Sequence, residues 1–173
     1  MLLSLQISSK ASKYNRAIIR EMRSSMKSHD ANQVTLCPSS NRPELPNSIV
    51  FGIIGGTVEN PRVTYLKKPQ PVTDELMALA APVTPAEVFR TATTCATNKC
   101  LHFDGSNCRL AQRVVEQFPI VEEKLPSCAI RKDCRWFQQE GKAACMRCPQ
   151  IITDNYNASE LIRQVSMPTT IGE

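Results

Sequence analysis

Cysteines are the residues of this chain whose type and spacing could do chemistry. The 173 residues include eight cysteines, of which seven lie between residues 95 and 148, whereas Cys37 stands alone. The seven are Cys95, Cys100, Cys108, Cys128, Cys134, Cys145 and Cys148. Such a local density is typical of a segment that is cross-linked by disulfides or organised by a metal.

A disulfide framework is the first interpretation, and the cysteine count opposes it. Because seven is an odd number, one thiol would stay unpaired unless Cys37 formed a disulfide with it. The N-terminus also lacks a secretory signal, because the apolar run at Leu2–Leu5 is too short and no cleavage site follows it. Since reducing compartments keep thiols free, we expect these cysteines not to be cross-linked.

Zinc is the second interpretation. Structural zinc sites favour two short C-x2–4-C pairs. Cys145 and Cys148 form one such pair, with two residues between them, and Cys95 and Cys100 come nearest to a second pair. His102 could supply a further ligand. Zinc therefore stays open as the alternative metal.

Iron–sulfur is the third interpretation and the one that the spacing favours. The gaps between consecutive cysteines of the segment hold four, seven, nineteen, five, ten and two residues. A cluster is larger than a single ion and accepts thiolates from distant parts of a chain, provided that they converge in the fold. The closing "CMRCP" resembles the Cys-Pro that ends cluster motifs in bacterial ferredoxins. The C-x2-C-x2-C run that precedes it in those proteins is absent, so we assign no family.

The sequence thus predicts an iron–sulfur protein with one or two clusters, of the 4Fe–4S type. The predicted ligand pool is the seven cysteines of the segment, with His102 in reserve. Seven thiolates with His102 or Cys37 could hold two complete clusters, whereas seven alone could leave one iron open to a substrate.

Two features of the segment predict how its thiols are charged. Cys108 follows Asn107, the predicted cap of a helix, and Cys128 precedes a second predicted helix, so we expect helix dipoles to lower the pKa of both thiols. Basic side chains lie between the cysteines and could offset the charge of a cluster: Lys99, Arg109, Arg131, Lys132, Arg135, Lys142 and Arg147.

One-electron transfer is the predicted function, either as a carrier or as an accessory subunit that passes electrons to an enzyme. The expected partner is a redox protein or enzyme. The alternatives are a zinc-organised module that binds nucleic acid or protein, and an enzyme whose cluster has an open iron. A net charge of +5 does not by itself indicate nucleic acid, and no run of 18 apolar residues predicts a membrane span.

Composition divides the chain into three parts. Residues 1–47 are predicted to be a basic extension, either disordered or a targeting peptide, because Lys, Arg and Ser are frequent and acids are scarce. Residues 48–166 form the expected domain, with its metal-binding half at 95–148, and residues 167–173 form a frayed tail. The expected location is the cytoplasm, or an organelle matrix or stroma if the extension is a transit peptide.

The periodicity predicts a mainly α fold with a short β-hairpin, in an irregular, cysteine-rich domain organised around bound metal. The hairpin is placed at Ile49–Ile54 and Val63–Leu66, where apolar and β-branched residues form short runs. A helix is predicted to begin at Thr84 and to run to the first cysteine of the segment, since Thr84, Pro85 and Glu87 form a capping box. Further helices are predicted over 107–118, 130–140 and 158–165.

Overall fold

A four-stranded antiparallel sheet lies at the centre of the computed structural model, which describes residues 34–57 and 59–168. The strands are β1 (Leu36–Cys37), β2 (Ile49–Gly56), β3 (Pro61–Pro71) and β4 (Phe89–Thr94). Their order in the sheet is β1-β4-β2-β3. β2 and β3 form the hairpin that the sequence predicts, and both strands are longer than predicted.

Six short helices accompany the sheet in the described residues. They are α1 (Asp74–Ala78), α2 (Pro85–Val88), α3 (Arg109–Gln117), α4 (Arg135–Glu140), α5 (Lys142–Cys145) and α6 (Glu160–Ser166). Three single 3-10 turns occur at Thr97–Lys99, Arg131–Asp133 and Cys148–Gln150. None of the helices in this part of the chain has the length and apolarity that a membrane-spanning helix needs.

The prediction of a mainly α fold is wrong. Strands make up 22% and helices 33% of the structure, which is therefore mixed α/β. The largest error is at Thr84, where the capping box forms as predicted but α2 ends at Val88 and the chain continues as β4. β4 pairs with β1 on one side and with β2 on the other, and its threonines favour a strand. Strand pairing therefore ends the helix that the capping box begins.

The expectation of a domain organised around bound metal is also wrong, because the described elements are held by strand pairing and by an apolar core, and no metal site is shown. Phe51 and Ala92 from the sheet contact Val114 from α3 and Trp136 from α4 in the main core cluster. This cluster also includes two cysteines, Cys134 and Cys148. The core thus extends to the thiols.

β1 lies in the segment that the sequence assigned to the basic extension. It pairs with β4 through Leu36 and Thr94 and through Cys37 and Thr93. The structure therefore places Cys37 beside the strand that leads to Cys95. The predictions for residues 1–33 and for 169–173 lie outside the described residues.

Candidate functional site: two groups of four cysteines

Four cysteines line one cavity, and we call them the open group. The open group consists of Cys37, Cys95, Cys100 and Cys108. Each lies where an element ends or begins: the first ends β1, the second follows β4, the third follows the turn Thr97–Lys99, and the fourth is the N-cap of α3. The wall of this cavity includes exposed residues, among them Asn41, Lys99 and Leu101.

The other four cysteines line a second cavity, and we call them the enclosed group. The enclosed group consists of Cys128, Cys134, Cys145 and Cys148. The first precedes the turn Arg131–Asp133, the second is the N-cap of α4, the third ends α5 and the fourth begins the turn Cys148–Gln150. The wall is formed largely by apolar side chains such as Phe51, Trp136 and Phe137, and none of its residues is exposed.

One glutamine fixes the backbone of Cys108 and links the two groups. The N–H of Cys108 donates to Gln139 Oε1 at 2.7 Å, and Gln139 Nε2 donates to the Cys108 carbonyl oxygen at 3.1 Å. Gln139 lies on α4, the helix that Cys134 caps. The open group is therefore held against a helix whose first turn carries a thiol of the enclosed group.

Asp104 shapes the loop that joins Cys100 to Cys108. Its Oδ1 accepts hydrogen bonds from the N–H groups of Asn107 at 2.7 Å and Ser106 at 3.0 Å. These hydrogen bonds, with the nearby charge of Arg109, lower the pKa of the Asp104 carboxyl. The carboxylate is thus ionised at neutral pH, which maintains its ion pair with Arg109 at 2.7 Å and keeps the loop in shape.

A glycine turn directs the chain through the enclosed group. Gly141 separates α4 from α5 and has φ 61° and ψ −141°, a conformation that other residues adopt only with strain. The turn places α5 against α4 and so brings Cys145 back towards Cys134. Gly141 is the C-cap of α4, directly after the predicted end of this helix at residue 140.

Burial raises the pKa of thiols in both groups. It takes the pKa of Cys37 in the open group from 9.0 to about 12. In the enclosed group it takes the pKa of Cys128 to about 11 and that of Cys134 to about 12. The neighbouring thiols that raise these values further belong in each case to the same group. Each set of four is therefore close in space, and these three thiols hold their protons at neutral pH.

The expectation of low thiol pKa values at helix starts is wrong. At Cys108, burial raises the pKa, and the N–H groups of Ala111 and Leu110 offset only part of that effect. Burial likewise outweighs the N–H of Ile130 at Cys128. Nucleophilic and redox-active cysteines have lowered pKa values, and Cys108 and Cys128 do not show this shift.

Arg90 is a buried cation beside the enclosed group. It lies on β4 with 0% exposure, and its Nη2 donates to the Pro38 carbonyl oxygen at 2.6 Å and lies 3.8 Å from Cys148 Sγ. Nη1 donates to the carbonyl oxygen of Ile151, and Nε has no hydrogen-bond partner among the described residues. A buried charge is costly unless an opposite charge lies near it. Within the described residues, no carboxylate forms an ion pair with Arg90, and the Cys148 thiol is a group beside it that could carry a negative charge.

Other basic side chains surround the thiols. A hydrogen bond from Arg131 lowers the pKa of Cys145 against the larger effect of burial, and Arg131 Nε and Nη2 are buried without a hydrogen-bond partner in the described residues. Lys99 and Arg135 line the open group. In the part of the chain that the structure describes, neither cavity wall contains Asp or Glu. Both cavities therefore favour anionic contents.

His102 faces an arginine. Its Nδ1 lies 3.1 Å from Arg113 Nη2, and a guanidinium can only donate, so Nδ1 accepts and the proton of the neutral ring is on Nε2. Burial, followed by the charge of Arg113, lowers the pKa of His102, which favours the neutral ring. As placed, neither ring nitrogen offers a free lone pair to a metal.

All eight cysteines have free thiols. Among residues 34–57 and 59–168, no three His, Cys, Asp or Glu side chains are placed so that they could hold a metal ion. The two pairs that suggested one zinc site, Cys95 with Cys100 and Cys145 with Cys148, lie in different groups. No family model matches the sequence, and no curated protein or solved structure matches the chain.

Sequence reasoning left Cys37 outside the predicted ligand pool, naming it only as a possible eighth thiol, and it did not identify Arg90. Cys37 joins the open group through the pairing of β1 with β4, and its separation from the other cysteines hid that role. The parity of the cysteine count was the available signal, since eight thiols make two sets of four. Arg90 gave no signal, because one arginine within a Thr-rich strand does not reveal that it is buried.

Proposed function

We propose that this chain binds two [4Fe–4S] clusters, one in each cysteine group, and transfers single electrons as a carrier or as an accessory redox subunit. The observation that carries the proposal is the division of eight thiols into two sets of four, the number that one such cluster takes. Relative to the pool predicted from sequence, the proposed ligand set gains Cys37 and leaves out His102.

The charges around the thiols fit such a group. A [4Fe–4S] cluster with four thiolates carries about −2 in its common oxidised state. Arg131, which lines the enclosed group, has two buried nitrogens without a hydrogen-bond partner among the described residues, and Nη2 of the buried Arg90 lies 3.8 Å from Cys148 Sγ. An anion in the enclosed group would offset the cost of burying both cations. Backbone N–H groups near Cys108 and Cys134 favour the thiolate forms and are donors of the kind that tune a cluster.

A zinc ion and a four-iron cluster require different spacings of their thiolates. A tetrahedral zinc ion with bonds of about 2.3 Å holds its sulfurs about 3.8 Å from one another, whereas a four-iron cluster holds its thiolates farther apart. Among the described residues, no three thiols are placed to hold a single ion, so the content of iron, sulfide and zinc decides between the two metals.

Two complete sets of thiols support electron transfer over catalysis at an open iron. When bound, the clusters would supply one-electron chemistry. The chain itself would hold them through the eight cysteines, balance their charge through Arg90 and Arg131, and exclude water from the enclosed group through Trp136 and Phe137. Solvent exposure and hydrogen bonds to sulfur set the potential of a cluster, so the two sites would differ in potential.

Purification without oxygen tests this proposal. We expect a brown protein with a broad absorption band near about 400 nm and with iron and acid-labile sulfide in equal amounts. Loading of the metal-free protein should also release protons into a weakly buffered solution, because thiols with raised pKa must ionise to bind. A colourless protein with stoichiometric zinc and no sulfide would overturn the proposal and favour the interaction module.

A further inference from the structure

Two neighbouring elements of the sheet bring polar side chains to the sulfur of Cys148. From β4, Arg90 Nη2 lies 3.8 Å from Cys148 Sγ. From β3, Tyr65 lines the same cavity as Cys148, and the turn that Cys148 begins packs against this strand. Cys148 itself is 9% exposed. The sulfur is therefore surrounded by protein groups, of which the Arg90 guanidinium and the Tyr65 hydroxyl can donate hydrogen bonds.

The ring of Tyr65 is held in place by the sheet and by the core. It stacks on the ring of Phe51 with a centroid separation of 6.1 Å and an angle of 20° between the ring planes. Phe51 is 1% exposed and belongs to the main core cluster, against which Tyr65 also packs. The backbone of Tyr65 pairs with Gly52 on β2. These contacts position the phenol without help from a metal.

The hydroxyl of Tyr65 faces the thiols of the enclosed group. Burial raises the pKa of this phenol, and the charge that Cys148 can carry and a hydrogen bond to its side chain raise it further. Arg90 acts in the opposite direction, and Cys128 adds to the increase. A phenol that keeps its proton donates one O–H, and a thiolate sulfur accepts it.

We propose that Tyr65 donates a hydrogen bond to the sulfur of Cys148 and thereby raises the reduction potential of the cluster in the enclosed group. This inference rests on the proposed function and names a residue that sets the potential of one site. Reduction adds one electron to the cluster, makes it one unit more negative and forms or breaks no bond. A hydrogen bond to a charged acceptor strengthens with its charge, so the donor stabilises the reduced form more than the oxidised form.

Two matched tyrosine variants test the role of Tyr65. Tyr65→Phe removes the hydroxyl and keeps the ring, and Tyr156→Phe makes the same change at a side chain that is 80% exposed and lines neither cavity. Each full-length, iron-loaded protein is titrated without oxygen with dithionite, which supplies the electrons, in the presence of redox mediators. EPR follows the reduction of each cluster. Cys37→Ser removes a thiol of the open group and so identifies the signal of that group.

A shift confined to one cluster is expected in Tyr65→Phe. The equilibrium constant for reduction of the enclosed cluster should fall by about fivefold, which is about 40 mV because a tenfold change corresponds to about 59 mV for one electron. The potential of the open cluster and the iron content should stay at their wild-type values, and Tyr156→Phe should change neither potential. An unchanged potential of the enclosed cluster in Tyr65→Phe, or an equal shift of both clusters, would overturn the proposal.

A second replacement keeps the proposal testable if Tyr65→Phe loses the enclosed cluster. Replacement of Tyr65 by 3-fluorotyrosine keeps the ring and the hydroxyl, and fluorine makes the phenol more acidic and therefore a stronger donor. The potential of the enclosed cluster should then rise above the wild-type value. A role of Tyr65 in packing alone does not predict this rise, and an unchanged or lower potential would contradict the proposed donor.

Failure of this inference can be told apart from failure of the proposed function. If the wild-type protein holds no iron or sulfide, the proposed function fails. If it holds both clusters and neither replacement at Tyr65 changes the potential of the enclosed one, the proposed function stands and the role of Tyr65 does not.

Discussion

The enclosed and open groups each contain four thiols, in different surroundings. In the enclosed group, apolar rings and the buried cation of Arg90 surround the sulfurs, and no residue of the wall is exposed. In the open group, polar and exposed residues such as Asn41 and Lys99 reach the cavity. The difference teaches that this fold surrounds equal numbers of thiols with walls of different polarity, so the proposed clusters would experience different charges and solvent exposure.

The groups also differ in how the chain assembles them. Residues 128–148 supply the whole enclosed group from consecutive short helices and turns. The open group needs β1, the end of β4, and the loop before α3 to meet. Local geometry therefore builds the enclosed group, whereas the open group depends on sheet pairing between segments that are distant in sequence.

Arg90→Met is expected to have the largest effect and to separate the two groups most sharply. The change leaves buried carbonyl oxygens of Pro38 and Ile151 without a donor and removes the cation beside Cys148. Each buried acceptor that is left without a donor costs about 1–3 kcal/mol. We expect the enclosed group to lose its iron while the open group keeps its own, as measured by iron content and by thermal unfolding.

Arg147→Met is the matched control for this change. Arg147 also donates to backbone carbonyl oxygens, those of Phe118 and Ala143, but it lines neither cavity. The control should lose stability and keep the iron of both groups. If the Arg90→Met variant also retained the iron of both groups, the charge of Arg90 would not be needed for metal binding by the enclosed group.

Two glycines allow the groups to be weakened one at a time. Gly141, in the turn of the enclosed group, has φ +61°, and Gly105, in the loop of the open group, has φ +95°. An added Cβ would meet no atom within 4 Å at either position. Substitution by Ala should therefore cost only backbone strain, about 1–3 kcal/mol. We expect Gly141→Ala to weaken metal retention by the enclosed group alone, and Gly105→Ala by the open group alone, when the iron-loaded protein is titrated with a chelator.

If either glycine variant lost metal equally from both groups in the chelator titration, the two groups would not be independent sites. The free energy of unfolding of the metal-free protein, measured in urea, should fall by similar amounts in the two variants because the strain is of the same kind.

Gln139→Ala is expected to have the smallest effect. It removes the two hydrogen bonds that hold the backbone of Cys108, which together contribute about 1–2 kcal/mol. The open group should retain metal less well in the same chelator titration, and the enclosed group should be unchanged. Gln112→Ala removes an exposed hydrogen bond to Arg109 and should change neither group. A larger loss from the enclosed group than from the open group would contradict the assigned role of Gln139.

Much of the local structure could be predicted from the sequence. The hairpin, the capping box at Thr84, the helix that ends before Pro119 and the glycine turn after α4 follow from short-range rules on periodicity, caps and turns. The pool of thiols was also visible, because cysteine identity does not depend on the fold.

Long-range pairing and burial could not be predicted in the same way. The segment of β4 follows a well-capped helix start, so only its pairing with β1 and β2 reveals a strand. The same pairing brings Cys37 to the open group. Cys134 lies inside the helix predicted over 130–140 but is the N-cap of α4. The thiol pKa values at helix starts depend on burial that the sequence does not display.

The iron and sulfide content of Cys37→Ser, compared with that of the wild-type protein, tests the central claim most directly. Cys37 is the thiol that only the fold assigns to a group, and serine keeps its size while removing the sulfur ligand. With four irons and four sulfides in each cluster, we predict about eight of each per wild-type chain, and a lower iron content in the variant because its open group retains only three thiolates. Wild-type content in Cys37→Ser, or zinc in place of iron in both proteins, would contradict two four-thiol cluster sites.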